Sequence, residues 1–317
     1  ACCYQQPAAD HGPAVTLVLG AGNITSVPVL DACDHIFARG EAVLLKLHPL
    51  HKPLQPIFER LLGPLIEFGC LQIITGDGDA LSIGGNHMMH LLRRNLNTQI
   101  LLFNNEIYGL TKGQYSPTSR TGLRTNSTPL GSIETPFVAG ELAIGAKGTF
   151  FARTIDTNPK LMTQIFIESS KHKGTSLIEI LQNCVIYNDK THKEVTGPET
   201  KDDNQLHLEH GKPMIFGKEQ NKGIRLNGLK LEVVTIGENG VTESDILVHD
   251  AHNPDPSLHF MLVGMAPPAM PMALGIIRSV EAPTYDDLII GQIKDSKKSA
   301  PFKNMDELLS SGNTWVV

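Results

Sequence analysis

Four short apolar runs punctuate the chain, at Val15–Leu19, Leu71–Ile74, Ile100–Phe103 and Leu177–Ile180, each followed within a few residues by Gly or Asn. Runs of this length bounded by turn residues read as strands buried on both faces. Met88–Arg94 and Leu161–Ser170 have the pattern and length of helices. Strand-like and helix-like segments alternating in this way predict an α/β fold, a parallel sheet covered on both faces.

The second and third runs frame the chemistry. Leu71–Ile74 leads into Thr75-Gly76-Asp77-Gly78-Asp79, a helix is expected after Asp79, and Ile100–Phe103 ends in Asn104-Asn105. This is one βαβ unit with a polar motif at the carboxyl end of each strand, where open α/β sheets place their ligands. Ser116–Ser132 shows little periodicity and is expected to be a loop over that site. From about Lys190 the chain turns polar, through Thr200-Lys201-Asp202-Asp203-Asn204. A main domain is therefore expected over residues 1–195, with 196–317 a C-terminal extension that contacts a partner. Leu231–Ile236 and Phe260–Val263 are strand candidates within that extension, the second amid the Pro-rich turns of Pro254–Pro271.

Composition narrows the partners. The 317 residues are 41% hydrophobic and 19% charged, enough to bury a large core, and the formal charge is -6 with the basic residues scattered. No basic stripe exists for nucleic acid. No run approaches the ~18 apolar residues of a membrane helix, and a cytoplasmic protein is expected. The five cysteines, Cys2, Cys3, Cys33, Cys70 and Cys184, make no paired disulfide framework and read as thiols or metal ligands.

A diphosphate held on Mg²⁺ needs hard oxygen ligands and backbone that approaches phosphate closely. Asp77 and the Asn105 side chain supply oxygens, the Ile107 carbonyl completes the protein's share, and the glycines on either side of Asp77 permit the approach. Helix amides after Asp79 would add partial positive charge. Gly-Asp-Gly alone is equally a plain strand-to-helix turn. With Asn104-Asn105 following after 25 intervening residues, in a strand–helix–strand context, the pair matches a thiamine diphosphate signature.

Thr75–Asp79, Ser82–His87, Asn105–Tyr108, Gly109–Thr118 and Ile180–Asp189 together resemble the β subunits of 2-oxoacid:ferredoxin oxidoreductases, continuously from about Leu71 to Asp189. A second block, Leu208-Glu209-His210-Gly211-Lys212-Pro213 to Asp250, resembles the longer extension of members acting on 2-oxoglutarate. The resemblance implies oxidative decarboxylation of a 2-oxoacid to acyl-CoA and CO2, with thiamine diphosphate as electron sink and electrons leaving through iron–sulfur clusters to ferredoxin. It implies a hetero-oligomer, (αβ)2, whose α subunit brings the pyrimidine-binding module. Gly76, Asp77, Gly78, Asp79, Asn105, Ile107, Tyr108, Gly109, Leu110 and Thr111 are the cofactor contacts it implies, with Leu110 and Lys112 bordering the substrate; Lys112 is equally readable as a solvated loop lysine.

The [4Fe-4S] ligands of the family are incomplete here. Cys184, in Gln182-Asn183-Cys184, matches one, but Cys2 and Cys3 are adjacent and the turn Gly20-Ala21-Gly22-Asn23 has Asn where a third thiolate belongs; Cys33 is the substitute. A complete cluster would draw on Cys2, Cys3, Cys33 and Cys184. His87 and His90 are expected on a helix face packed near the cofactor. Pyruvate or a broad 2-oxoacid range is the alternative to 2-oxoglutarate. A dinucleotide-binding protein is the distant alternative, since Val15–Leu19 runs into Gly20-Ala21-Gly22, although a third glycine is missing and Pro28 sits where the helix should run.

Overall fold

A computed structural model describes residues 15–19, 42–46, 71–299, 304–309 and 311. Cys2, Cys3, Cys33, Cys70 and the Gly20-Ala21-Gly22 turn lie outside the described residues. In chain order the elements are β1 (Val15–Leu19), β2 (Ala42–Lys46), β3 (Leu71–Gly76), α1 (Asp77–Leu81), α2 (Gly85–Arg94), β4 (Thr98–Asn104), α3 (Ala139–Gly145), β5 (Phe150–Ile155), α4 (Pro159–Lys171) and β6 (Thr175–Leu181). Then follow α5 (Lys193–Thr196), α6 (Lys201–Asn204), β7 (Gln205–Leu208), β8 (Ile215–Phe216), β9 (Lys222–Asn227), β10 (Lys230–Thr235), α7 (Ser257–Val263), β11 (Met272–Ser279), α8 (Tyr285–Ser299) and α9 (Met305–Leu309).

Eight strands form one sheet in the order β1-β2-β3-β4-β6-β5-β11-β7. The neighbours from β1 to β5 pair in parallel, while β11 runs antiparallel to β5 and parallel to β7. Every residue of β5 and β6 is buried, as befits strands covered on both faces. The period of two sorts their side chains. Ile100, Leu102, Phe151 and Leu177 pack with Leu92 of α2, Ala143 of α3 and Leu262 of α7, whereas Leu101, Phe150, Ala152, Ile178 and Ile180 pack with Ile165 of α4.

The sheet runs across the expected boundary at 195. Leu206 of β7 and Ala273 of β11 belong to the same core as Leu102, and the antiparallel β8–β9–β10 ribbon joins it through Phe216 and Ile224. Leu231–Ile236 is a strand, β10, as its pattern predicts. Phe260–Val263 is not: it is the end of α7, because four apolar residues fit either period and Pro256 at the N-cap starts a helix that sets His259, Leu262 and Val263 inward. Residues 116–132 form the expected irregular loop.

Candidate functional site

β3 and β4 are adjacent parallel strands, with Ile73 beside Ile100 and Gly76 beside Phe103, so their carboxyl ends open at one place. The chain turns directly from β3 into α1 at Asp77, two residues earlier than expected, and α1 has only five residues before a turn at Ser82 leads to α2. Asp77 is therefore a first-turn residue, only 1% exposed. Its Oδ2 accepts from the Thr118 hydroxyl at 2.6 Å, and its Oδ1 has the Asn105 amide at the longer distance of 3.4 Å. Burial pushes the Asp77 carboxyl above the usual range, partly offset by hydrogen bonds from Ser116, Thr118 and backbone amides, and no charged group opposes the shift. A buried carboxylate without a cationic neighbour is costly unless a ligand supplies the charge.

The loop after β4 is shaped around the same point. The Asn105 side chain accepts from the Ile107 amide at 3.2 Å, and Glu106 between them adopts φ 55°, a left-handed conformation rare for a side chain of its type. Glu106 is pinned: its carbonyl accepts from Ser119 and Asn188, and its carboxylate from Thr191 and Arg120. Residues 108–114 close on themselves, the Tyr108 amide donating to the Gln114 carbonyl at 2.8 Å and the Gly113 amide to the Tyr108 carbonyl at 3.0 Å. The Tyr108 hydroxyl donates to the Gly78 carbonyl at 2.7 Å, which ties this loop to the Gly-Asp-Gly turn. A Cβ on Gly78 would lie 2.3 Å from the Tyr108 ring, so here glycine is required by a close neighbour. Around Gly76 a Cβ would meet nothing within 4 Å, leaving the backbone approachable.

Asp77, Asn105, Ile107 and Tyr108 thus come together at the carboxyl ends of β3 and β4, with the Ile107 carbonyl accepting no backbone hydrogen bond among the described residues. A hard cation suits this set: one buried carboxylate, a side-chain amide oxygen and a backbone carbonyl. Leu110, 68% exposed, and Lys112, also exposed and held at φ 65°, sit at the tip of the loop. Cys184 is half-buried in the turn after β6. That turn abuts the site, since the Asn188 amide group donates to the Asn105 carbonyl at 3.1 Å and the Tyr187 ring lies against Gly113. His87 and His90 are exposed on α2 rather than packed.

Two residues of the candidate site escape motif reading. Thr118 reaches Asp77 from 41 residues away, and its only signal is the hydroxyl-rich Ser116-Pro117-Thr118-Ser119 in a long loop. Glu179 is buried behind Asn104, and its signal was a charge inside the apolar run Leu177–Ile180.

Comparison with known proteins bears on the same stretch. The family profile described as thiamine pyrophosphate enzyme, C-terminal TPP binding domain, matches residues 71–180. The "2-oxoglutarate oxidoreductase subunit KorB" of Mycobacterium tuberculosis is 42% identical over 248 residues, 77% of this chain and 66% of that protein. The "2-oxoglutarate synthase subunit KorB" of Methanothermobacter thermautotrophicus is 30% identical over 268 residues, 84% of this chain and 82% of that protein. The chain thus spans slightly less than two thirds of the mycobacterial relative's length. In fold it is similar to a solved 2-oxoglutarate:ferredoxin oxidoreductase from Magnetococcus marinus with 2-oxoglutarate, coenzyme A and succinyl-CoA bound; the TM-score is 0.60 over 95% of this chain and 83% of that one, at 22% identity.

Proposed function

This chain belongs to the KorB family of 2-oxoglutarate oxidoreductase and synthase subunits, and from that premise we propose that it supplies the diphosphate-and-metal half of a thiamine diphosphate active site. The enzyme would be a 2-oxoacid:ferredoxin oxidoreductase that converts 2-oxoglutarate, coenzyme A and oxidised ferredoxin to succinyl-CoA, CO2 and reduced ferredoxin. The observation that carries this reading is Asp77: a carboxylate 1% exposed, without a cationic neighbour among the described residues, at the joint between β3 and the Asn105–Tyr108 loop.

When bound, thiamine diphosphate supplies the carbanion that adds to a 2-keto carbon and the sink for the electrons left after CO2 departs. The chain's own residues hold and orient. Asp77, Asn105 and the Ile107 carbonyl would hold Mg²⁺, and Gly76 lets backbone approach the diphosphate. The Tyr108 hydroxyl on the Gly78 carbonyl anchors the loop that carries Leu110 and Lys112 to the Gly-Asp-Gly turn. Lys112, exposed at the loop tip, would meet a substrate carboxylate.

A second subunit completes the site in this reading. Leu110, Ile83, Val185 and Ile186 are 68%, 73%, 73% and 77% exposed near the Asp77 loops, an apolar rim suited to burial by an α subunit carrying the pyrimidine-side module. Cys184 is the thiol beside the site to which a [4Fe-4S] cluster would attach, with Cys2, Cys3 and Cys33 as its companions. Ferredoxin then takes electrons one at a time. We place the 196–317 segment, including α8, among the surfaces that face partners.

The test is binding and turnover with the reconstituted subunit pair. Calorimetry with thiamine diphosphate in excess Mg²⁺ should show at least ~100-fold weaker binding for Asp77→Ala, the loss expected when a metal's only charged protein ligand is removed. Unchanged affinity would overturn the site. Reduction of ferredoxin by 2-oxoglutarate but not pyruvate supports the substrate; the opposite preference replaces it with pyruvate. Electron paramagnetic resonance of the same preparation counts the clusters.

A further inference from the structure

Behind Asp77 the sheet carries a line of buried polar side chains that the metal site itself does not use. Arg153 on β5 and Glu179 on β6 are directly paired in register, and Asn104 ends β4 two residues beyond Leu102, the partner of Glu179. With the period of two, Arg153, Glu179 and Asn104 share the face that also carries Phe151, Leu177 and Leu102. Asp77 follows β3 in phase with Ile73 and Thr75, whose register partners are Ile100 and Leu102, on that same face.

The contacts approach Thr118 from both sides. Arg153 Nε donates to Glu179 Oε2 at 2.7 Å, both side chains being at most 4% exposed, and the guanidinium also donates to the Val263 carbonyl at 3.2 Å. The other carboxylate oxygen, Oε1, accepts from Asn104 Nδ2 at 2.8 Å. That bond decides which way the Asn104 amide faces, because only its nitrogen can donate to a carboxylate. Its oxygen must then face the opposite side, where it lies 3.0 Å from Thr118 Oγ1 and accepts the Glu106 amide at 3.3 Å. Thr118 in turn reaches Asp77 Oδ2 at 2.6 Å, the short distance of a hydroxyl donating to a carboxylate.

We propose that Thr118, placed against the Asn104 amide that Glu179 orients, is a positioning residue that fixes the Asp77 carboxylate so that Oδ2 is committed to the protein and Oδ1 is presented to the metal. The proposal rests on the reading of Asp77 as a metal ligand. Two features set it apart from plain packing. Apolar side chains of similar volume would fill the interior between β5 and β6 at no loss of stability, so burying an ion pair there has no packing rationale of its own. And the short 2.6 Å hydroxyl bond falls on Oδ2 while the Asn105 amide stands 3.4 Å from Oδ1, an asymmetry that suits a ligand site. Groups standing behind metal ligands orient them in this manner, and their loss typically costs ~10–100-fold in metal affinity.

Thr118→Val keeps the volume and removes only the hydroxyl; Thr118→Ser restores it. In the reconstituted complex, calorimetric titration with thiamine diphosphate across a Mg²⁺ series, repeated with inorganic pyrophosphate, should show Thr118→Val shifted ~10–100-fold toward weaker binding and higher Mg²⁺ demand. Thr118→Ser should return to within about threefold. Glu179→Gln, which reaches Thr118 only through the Asn104 amide it orients, should shift binding less than Thr118→Val does. If Glu179→Gln fails to fold, as an orphaned Arg153 can cause, the Thr118 pair decides alone. Wild-type Mg²⁺ dependence in Thr118→Val, alongside lost binding in Asp77→Ala, would overturn the positioning role and leave the site intact. Wild-type binding in Asp77→Ala would overturn both.

Discussion

The two edges of the sheet each bury an asparagine, and they use it in opposite ways. At the amino edge Asn95, between α2 and β4, is saturated. Its Nδ2 donates to the Ala282 and Pro283 carbonyls, both at 3.2 Å, and its Oδ1 accepts from the Thr149 hydroxyl at 2.7 Å and the Thr175 amide at 3.0 Å. At the carboxyl edge Asn104 Oδ1 stands 3.0 Å from the Thr118 hydroxyl, whose short bond of 2.6 Å goes to the buried Asp77 carboxylate. A cluster that closes on itself holds the fold; a cluster that ends in a buried carboxylate with no cation beside it among the described residues is built for something that arrives later.

The largest effect should fall on the closed edge. Asn95→Ala removes four hydrogen bonds, two of them from the buried Thr149 and Thr175, and leaves alanine at φ 51°. Unpaired buried groups and left-handed strain together should cost ~3–4 kcal/mol, read as a fall of several degrees in Tm. Thiamine diphosphate affinity of the folded fraction should stay unchanged. If instead Asn95→Ala weakens cofactor binding as strongly as Asp77→Ala, the two edges are not independent and the comparison breaks.

How legible each edge was follows from how local its determinants are. The strands at Leu71–Ile74, Ile100–Phe103 and Leu177–Ile180 were readable because burial on both faces leaves a run of apolar residues. β5 was not, because Arg153 and Thr154 interrupt its run and their burial depends on partners elsewhere, Glu179 for Arg153. β11 was hidden by Gly275 at φ 112°, where a Cβ would come 2.7 Å from the Leu208 carbonyl. Asp77 and Asn105 were legible since a diphosphate site admits few side chains at those turns. Thr118 and Asn95 were not, since both are defined by partners far along the chain and neither stands in a spacing that recurs. The edge that closes on itself therefore left no motif at all.

A smaller effect tests the carboxyl edge from its backbone. In Gly78→Ala the new methyl would lie 2.3 Å from the Tyr108 ring, so the ring must move and its hydroxyl bond to the Gly78 carbonyl is lost. Overpacking of this kind costs ~1–3 kcal/mol. Because Tyr108 anchors the loop bearing Leu110 and Lys112, cofactor affinity should fall with stability here, unlike at Asn95. Adding Tyr108→Ala should then cost less than it does in the wild-type background, measured by thermal denaturation. Additive losses would mean that ring and glycine do not meet.

The smallest effect is a proton. His172 closes the amino-edge cluster, its Nε2 lying 2.9 Å from the Thr149 hydroxyl, whose own proton goes to Asn95, so the imidazole nitrogen must be the donor. Burial lowers the His172 pKa from 6.5 to about 4. The unfolded chain therefore takes up a proton near pH 6.5 that the folded chain refuses until about pH 4. Stability is unaffected above that window and falls as pH drops through it. Solvent reaches the partly exposed ring, so the contribution is set at ~1 kcal/mol rather than the full shift. His172→Gln keeps a donor for Thr149 without the titration, and its Tm should decline less than that of the wild type between pH 6.5 and 4. Other histidines, His207, His249 and His259, are shifted downward by desolvation as well and remain in both proteins, so only the difference between the two profiles reports on His172. Parallel profiles would show that the amino edge accepts the proton without strain, and the view of it as a closed structural cluster would lose its electrostatic support.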